Sequence, residues 1–226
     1  MKIASVNIGL PREVVWKGMT VQTGIFKEPV NGLIMINLLN LVGDKQADLT
    51  VHGGADKAVY AYPAEHYEYW QKELPEVDFS WGKFGENLTI EGLFEDTVCI
   101  GDRLRIGSAV LTVTQPRMPC YKLALRFKRD DMIPRFLASG RSGFYFSVVQ
   151  PGEVSAGSGI EILSRDPNHV TVADVARLYL GQTRDPDLLQ RAINVVALPR
   201  NWKATLLLRA GGALQGGALS KLAAGS

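Results

Sequence analysis

Cys120 lies in the run Thr114-Gln115-Pro116-Arg117-Met118-Pro119-Cys120-Tyr121, where it follows two prolines and an arginine at the end of a strongly patterned strand. No other stretch of the chain looks as much like a reactive centre. Proline fixes φ at 116 and 119 and pushes Gln115 and Met118 toward extended backbone, so the segment should be a stiff loop rather than a helix. Arg117 is charged at any working pH. Close to the thiol it favours the thiolate, the form that attacks electrophiles and binds soft metals. Cys120 is equally readable as an inert buried residue, because free cysteines are among the most buried residue types. Local sequence leaves both readings open.

Two glycine-marked segments could build a pocket around such a thiol. In Val51-His52-Gly53-Gly54 the paired glycines expose backbone N–H groups to an anionic ligand, and Asp56 and Lys57 follow at once. The same Gly-Gly is also an ordinary turn, and His52 an ordinary loop histidine. In Gly82-Lys83-Phe84-Gly85-Glu86-Asn87-Leu88-Thr89, Lys83 only donates hydrogen bonds, ionised Glu86 only accepts, and Asn87 does both. That set suits a pterin edge and its phosphate, or a turn in which Glu86 and Asn87 cap local backbone. A Walker loop, a His-x-x-x-His pair and a Cys-x-x-Cys pair are all missing, which argues against a nucleotide-cradling P-loop and a zinc site. His66 reads as structural or solvent-facing, and Cys99 as packing.

Taken together and in order, Val51-His52-Gly53-Gly54-x-Asp56-Lys57-Ala58-Val59-Tyr60, then Gly82 to Thr89, then Pro116-Arg117-x-Pro119-Cys120 resemble the MOSC family, named for the C-terminal domain of molybdenum cofactor sulfurases. The likeness runs from Lys2 to about Leu208 and is to the branch in which a small three-helix domain follows. The resemblance implies a molybdenum cofactor with Cys120 as the protein's ligand to molybdenum. It also implies a pocket of His52, Gly53, Gly54, Lys57, Glu86, Asn87 and Arg117, with Arg117 and Lys57 on the cofactor's anionic parts. The implied activity is reduction of N-hydroxylated compounds such as 6-hydroxylaminopurine base analogues. With no Rossmann fingerprint and no iron–sulfur set, electrons should come from a separate flavin-containing reductase. A carrier of the cofactor or of a persulfide, using Cys120 without turnover, is the alternative.

The elements that must position these residues read as mostly β (α+β). The expected plan is a barrel-like domain over 1–165, a three-helix domain over 166–209, and a disordered tail or vector-encoded remnant over 210–226. Strands are expected at Lys2 to Ile8, Thr97 to Ile100, Arg103 to Ile106, Ala109 to Thr114, Phe144 to Val149 and Gly159 to Leu163. Gly107-Ser108 should make a two-residue hairpin turn. Lys17 to Ile25 reads as hairpin-like, and the apolar run Leu33 to Leu39 as a buried strand. Helices are expected from Pro63 to Leu74 and from Asp131 to Ala138. Three more should start at Thr171-Val172-Ala173-Asp174, a capping-box pattern, at Asp185-Pro186 and at Pro199. Their apolar stripes are Val172, Val175, Ala176 and Tyr179; then Leu189, Ala192, Ile193 and Val196; then Trp202 and Leu206. Such short helices should pack on the barrel or on another subunit, as in a homodimer.

Composition narrows the function classes. The chain has 226 residues, 46% hydrophobic and 21% charged, with a net charge of +2, ordinary values for a globular protein and too little charge to make nucleic acid the main partner. Arg177, Arg184 and Arg191 are too dispersed for a recognition helix. No apolar run approaches the about 20 residues that span a bilayer, and the chain opens without a signal-peptide apolar stretch, so a cytoplasmic location with no membrane partner is expected. The two cysteines do not make a disulfide scaffold. After Cys120, Lys122, Arg126, Lys128, Arg129, Arg135 and Arg141 concentrate positive charge, which is either a solvated face or a field for a phosphate-bearing ligand or acidic redox partner.

Overall fold

The computed structural model describes residues 1–45 and 53–223, with side chains as far as 211. Twelve strands and six helices follow in chain order among them. The first half holds β1 (Lys2–Ile8), β2 (Arg12–Trp16), β3 (Met19–Thr23), β4 (Glu28–Val30), β5 (Ile34–Ile36), β6 (Val59–Pro63), α1 (His66–Glu73) and β7 (Leu88–Glu91). Then come β8 (Arg103–Ile106), β9 (Ala109–Pro116), α2 (Tyr121–Phe127), α3 (Met132–Ser139), β10 (Phe144–Gln150), β11 (Gly152–Val154) and β12 (Ile160–Ser164). The chain finishes with α4 (Val172–Leu180), α5 (Pro186–Asn194) and α6 (Arg200–Ala223).

Eight strands make one sheet in the order β12-β8-β9-β10-β6-β7-β1-β4. All its pairs are antiparallel except β6 with β7, and α1 is the crossover that a parallel pair requires. The fold is mostly β with a helical C-terminus, as the sequence pattern implies, but the sheet is not closed. β4 is a three-residue edge containing Pro29, which cannot donate to a further ladder. Near β12 the chain meets β1, not the β4 edge, through the bridge Lys2–Gly159 and bonds such as Ile160 N–H to the Met1 carbonyl at 3.1 Å.

Two apolar clusters flank this frame. The main one joins the sheet to α4–α6 through Val172, Val175, Leu188, Ala192, Val195, Trp202 and Leu206. The second is aromatic: Tyr62, Tyr67, Trp70, Phe84, Phe127 and Phe136 pack where α1, α2 and α3 meet the sheet. Phe84 stacks on Tyr62 with centroids 4.4 Å apart. This cluster is the floor on which the 82–87 loop and α2 rest.

Several local expectations need correction. The run from Leu33 to Leu39 is not a buried strand; Ile34–Ile36 pairs with β11, Ile36 also bridges Leu41, and Leu33, Leu38 and Leu39 are exposed. Thr97 to Ile100 is a turn. There the Asp102 carboxylate takes the Cys99 N–H at 2.9 Å, and only Cys99 bridges, to Thr171. Pro63 ends β6, where its residue pairs with Ile90, so α1 starts at His66. The helix α2 directly after Cys120 was not expected. Its sequence YKLALRF is rich in helix formers, and Lys128 ends it in the left-handed region. The hairpin spans Arg12 to Thr23 and turns at Lys17-Gly18. On α5 the buried positions are Leu188 and Ala192, with Val195 following, while Val196 is exposed. From Gly211 the chain continues α6 as far as Ala223.

Candidate active site

β9 carries the chain to the reactive loop. Pro116 pairs with Phe144 of β10, and the Arg117 N–H donates to the Gly143 carbonyl at 3.3 Å, so the strand ends against a fixed neighbour. Residues 117–120 then have no regular structure. Cys120 is extended at φ −126° and ψ 176°, and its carbonyl accepts from the Leu123 N–H at 2.9 Å, which starts α2. Cys120 is half-buried and lines a cleft that opens to solvent.

Of the residues expected from sequence, Lys57, Asn87, Arg117 and Cys120 line this cleft together. They come from four separate segments, and the strand order brings them side by side. Lys57 ends a single 3₁₀ turn, Ala55–Lys57, whose Asp56 carbonyl accepts from the Thr114 hydroxyl at 2.7 Å. Burial lowers the Lys57 pKa, against the charges of Asp56 and Cys120 that raise it. Asn87 holds the wall: its Oδ1 accepts from the Tyr60 N–H at 3.1 Å and its Nδ2 donates to Asp44 at 2.9 Å. Gly53 and Gly54 precede Lys57 near the surface and are not among the described lining residues. His52 lies outside the described residues.

Glu86 has a different place. It is fully buried, and its carboxylate accepts from the N–H groups of Gly82 at 2.9 Å and Phe84 at 3.1 Å, from the Thr89 hydroxyl at 3.0 Å and from the Tyr67 hydroxyl. Burial pushes its pKa up and these donors pull it back. Glu86 therefore shapes the 82–85 loop from beneath instead of facing a ligand.

Arg117 is the most informative member. It is buried at 6% exposure, with its guanidinium 5.3 Å from the Tyr60 ring centroid and 5.1 Å from that of Phe136. Burial works against its charge, but Tyr60, Tyr145 and Cys120 outweigh that, and its pKa is raised. Its Nη1 has no hydrogen-bond partner among the described residues. A buried donor left without an acceptor costs about 1–3 kcal/mol, more on a charged group, a cost that an anionic acceptor at Nη1 would offset.

The sequence did not single out Lys27, Asp44, Lys45 or Tyr145, and it marked Lys122 only within a basic stretch; all five line the same cleft. Lys27 and Asp44 form a buried ion pair, to which the Gly9 N–H adds a bond to Asp44 at 2.9 Å. Nothing local marks these residues, because each becomes a wall residue only through sheet topology. The cleft is thus strongly cationic around one thiol. Among the described residues no three His, Cys, Asp or Glu side chains converge. Such a cation-rich pocket with one thiol fits a phosphate-bearing, sulfur-ligated metal cofactor.

The sequence of the MOSC domain matches residues 48–161, and that of the YiiM-like three-helix domain matches residues 170–209. The chain belongs to the MOSC family. Protein YiiM of Escherichia coli is 40% identical over 189 residues, 83% of this chain and 84% of that one. A protein named Reductase from Gibberella moniliformis is 33% identical over 175 residues, 76% of this chain but 31% of its own length. The crystal structure of YiiM from Geobacillus stearothermophilus superposes with a TM-score of 0.76 at 32% identity, covering 92% of this chain and 98% of that one.

Proposed function

We propose that this protein is a molybdenum-cofactor-dependent reductase of N-hydroxylated compounds, for which 6-hydroxylaminopurine is a representative substrate. The observation that carries the reading is the cleft in which the half-buried Cys120 shares walls with Lys57, Lys122 and Arg117, whose buried Nη1 has no partner among the described residues. Membership of the MOSC family and the likeness to a protein named Reductase support it.

Cys120 is the protein's ligand to molybdenum, a soft thiolate for a sulfur-coordinated metal. Arg117 and Lys57 hold the cofactor's anionic parts, and Asn87 keeps the opposing wall in place. When bound, the cofactor supplies the two electrons that, with two protons, convert N–OH to N–H and water. A separate flavin-containing reductase supplies those electrons. Lys57, in the cleft lining with Cys120, is also a candidate proton donor, since burial favours loss of its proton against the charges of Asp56 and Cys120. The Tyr60 phenol is less suited. Burial raises its pKa well above the usual value, and its hydroxyl already donates to the Ser142 carbonyl at 2.8 Å.

The test is the metal content of protein made in a host that synthesises the cofactor, for wild type and Cys120→Ala. About one molybdenum per chain in wild type and none in the variant is expected, with reduction of 6-hydroxylaminopurine by wild type alone when a flavin reductase is supplied. Absence of molybdenum from wild type, under conditions that load a known molybdoenzyme fully, overturns the reading.

A further inference from the structure

A group of cations beside the cleft has no role in the chemistry above. The guanidiniums of Arg12 and Arg126 lie 3.7 and 4.7 Å from the centroid of one ring, Phe26. Phe26 is flanked by Ile25 and Lys27, both cleft residues. Arg126 is one turn beyond Lys122 on α2, on the same face of the helix. Lys83 precedes Phe84 and Gly85 of the cleft wall, and its ammonium lies 5.6 Å from the Phe127 ring. The cluster therefore continues the cleft outward along the elements that line it.

Among the described residues, Arg12, Lys83, Arg126 and Lys128 make no ion pair, and the Arg126 Nε is buried without a hydrogen-bond partner. Cations close by are paired: Lys17 with Asp130 at 2.7 Å, Arg129 with Asp131 at 2.9 Å and Arg135 with Asp131 at 2.7 Å. Burial and then Arg12 lower the Arg126 pKa, against the opposing charges of Glu86 and Glu28, and burial and then Arg126 lower that of Lys83, where Asp78 opposes and Lys128 adds to the repulsion. Mutual repulsion of this kind is relieved by a polyanion that bridges the group.

We propose that Arg12, Lys83, Arg126 and Lys128 bind the phosphate chain of a nucleotide, so that the N-hydroxylated base enters the cleft as its nucleoside 5′-triphosphate. The identity of the reacting end rests on the reductase reading; the phosphate site does not. The same chemistry could come from a second source, a phosphate chain carried by a dinucleotide form of the cofactor.

Two measurements test this. The first is calorimetric titration of the full chain with inorganic tripolyphosphate, for wild type, Arg12→Gln/Arg126→Gln, Lys83→Gln, and Arg135→Gln as a control at a paired cation. Binding that weakens with salt, falls about ten-fold or more in the double variant and is unchanged in the control is expected. Lys83→Gln, at a half-buried side chain, should weaken binding even if the double variant folds poorly. No binding by wild type, or binding as tight as wild type by both Lys83→Gln and a folded double variant, overturns the site. The second compares kcat/KM of the holoenzyme for 6-hydroxylaminopurine and its riboside triphosphate. An advantage of about ten-fold or more for the triphosphate, lost in Arg12→Gln/Arg126→Gln while the free base reacts as before, is expected. Arginine-dependent tripolyphosphate binding with no such advantage overturns the nucleotide substrate in favour of the cofactor's phosphates. Tripolyphosphate binding with no reduction of either compound leaves the phosphate site standing and refutes the reductase.

Discussion

Replacing Asp44 with asparagine should destabilise the wall of the cleft in a way that depends on pH. Asp44 is 3% exposed and Lys27 7%. The Asp44 carboxylate accepts from the Lys27 ammonium, from the Gly9 N–H at 2.9 Å and from Asn87 Nδ2 at 2.9 Å. Burial lowers the Lys27 pKa, and what opposes it is chiefly the charge of Asp44 and the hydrogen bond between them. Asp44→Asn keeps the size of the side chain and one oxygen for Gly9, but leaves the ammonium in a dry wall without its counter-charge. Removing one partner of a buried pair costs about 3–5 kcal/mol.

The sign with pH follows from linkage. In the folded variant Lys27 gives up its proton at a lower pH than in the unfolded chain. Between those two pKa values the unfolded chain binds more protons, so stability rises with pH, by up to about 1.4 kcal/mol per unit. The deficit of Asp44→Asn is therefore largest near neutrality and shrinks toward about pH 10, more steeply than any trend in wild type. Urea unfolding of wild type, Asp44→Asn and Lys27→Met/Asp44→Asn between about pH 6 and pH 10 measures it. The double variant removes the stranded ammonium and should recover most of the loss. A deficit below about 1 kcal/mol, or one that is the same at both ends of the range, refutes the idea that a buried charge pair holds this wall.

Phe84→Ala removes the ring at the centre of the aromatic cluster, fully buried and stacked on Tyr62, and should cost about 3–5 kcal/mol in chemical denaturation. Gly143 has φ 60°, and a Cβ there would lie 2.5 Å from the Ala61 carbonyl oxygen and 2.8 Å from a Tyr60 ring carbon. Gly143→Ala should therefore cost about 2 kcal/mol or more. It should also weaken molybdenum retention beyond an equally destabilising core variant, because the Gly143 carbonyl anchors Arg117. The Thr171 hydroxyl accepts from the Asp174 N–H at 3.0 Å and caps α4, so Thr171→Ala should cost about 1 kcal/mol and speed amide exchange in that helix. With Lys57 as the proton donor, kcat should fall as pH rises through its lowered pKa. Lys57→Met should reduce kcat and flatten that limb of the pH–rate profile.

What could be read from the sequence divides along a physical line. A feature is legible when its own neighbours constrain its backbone. The prolines around Arg117 announce a stiff loop. Thr171 with Asp174 forms the capping box its spacing suggests, Asp185-Pro186 opens α5, and Gly107-Ser108 joins β8 to β9. The register of apolar faces was less legible: on α5 the buried side lies at Leu188 and Ala192, with Val195 following, since packing against α4 and α6 and not the helix itself selects it. Glu86 shows the opposite limit. Its residue type suggests ligand contact, yet four nearby donors claim its carboxylate, two of them backbone N–H groups within its own loop.

Lys27 shows why half the cleft was hidden. In the sequence it is a lysine just past a hairpin, the sort of position that is usually solvated. Two distant glycines bury it. A Cβ on Gly82 would lie 2.7 Å from the Lys27 carbonyl oxygen, and one on Gly9 would lie 2.4 Å from that of Phe26. Because neither glycine has a side chain, the 82–85 loop and the end of β1 close on this segment and drive the lysine against Asp44. What signal there was lay in those distant glycines and not in the residues around Lys27. A glycine that permits close backbone approach marks which segment will be buried; the strand order then decides whether a charge on that segment becomes a wall of the site.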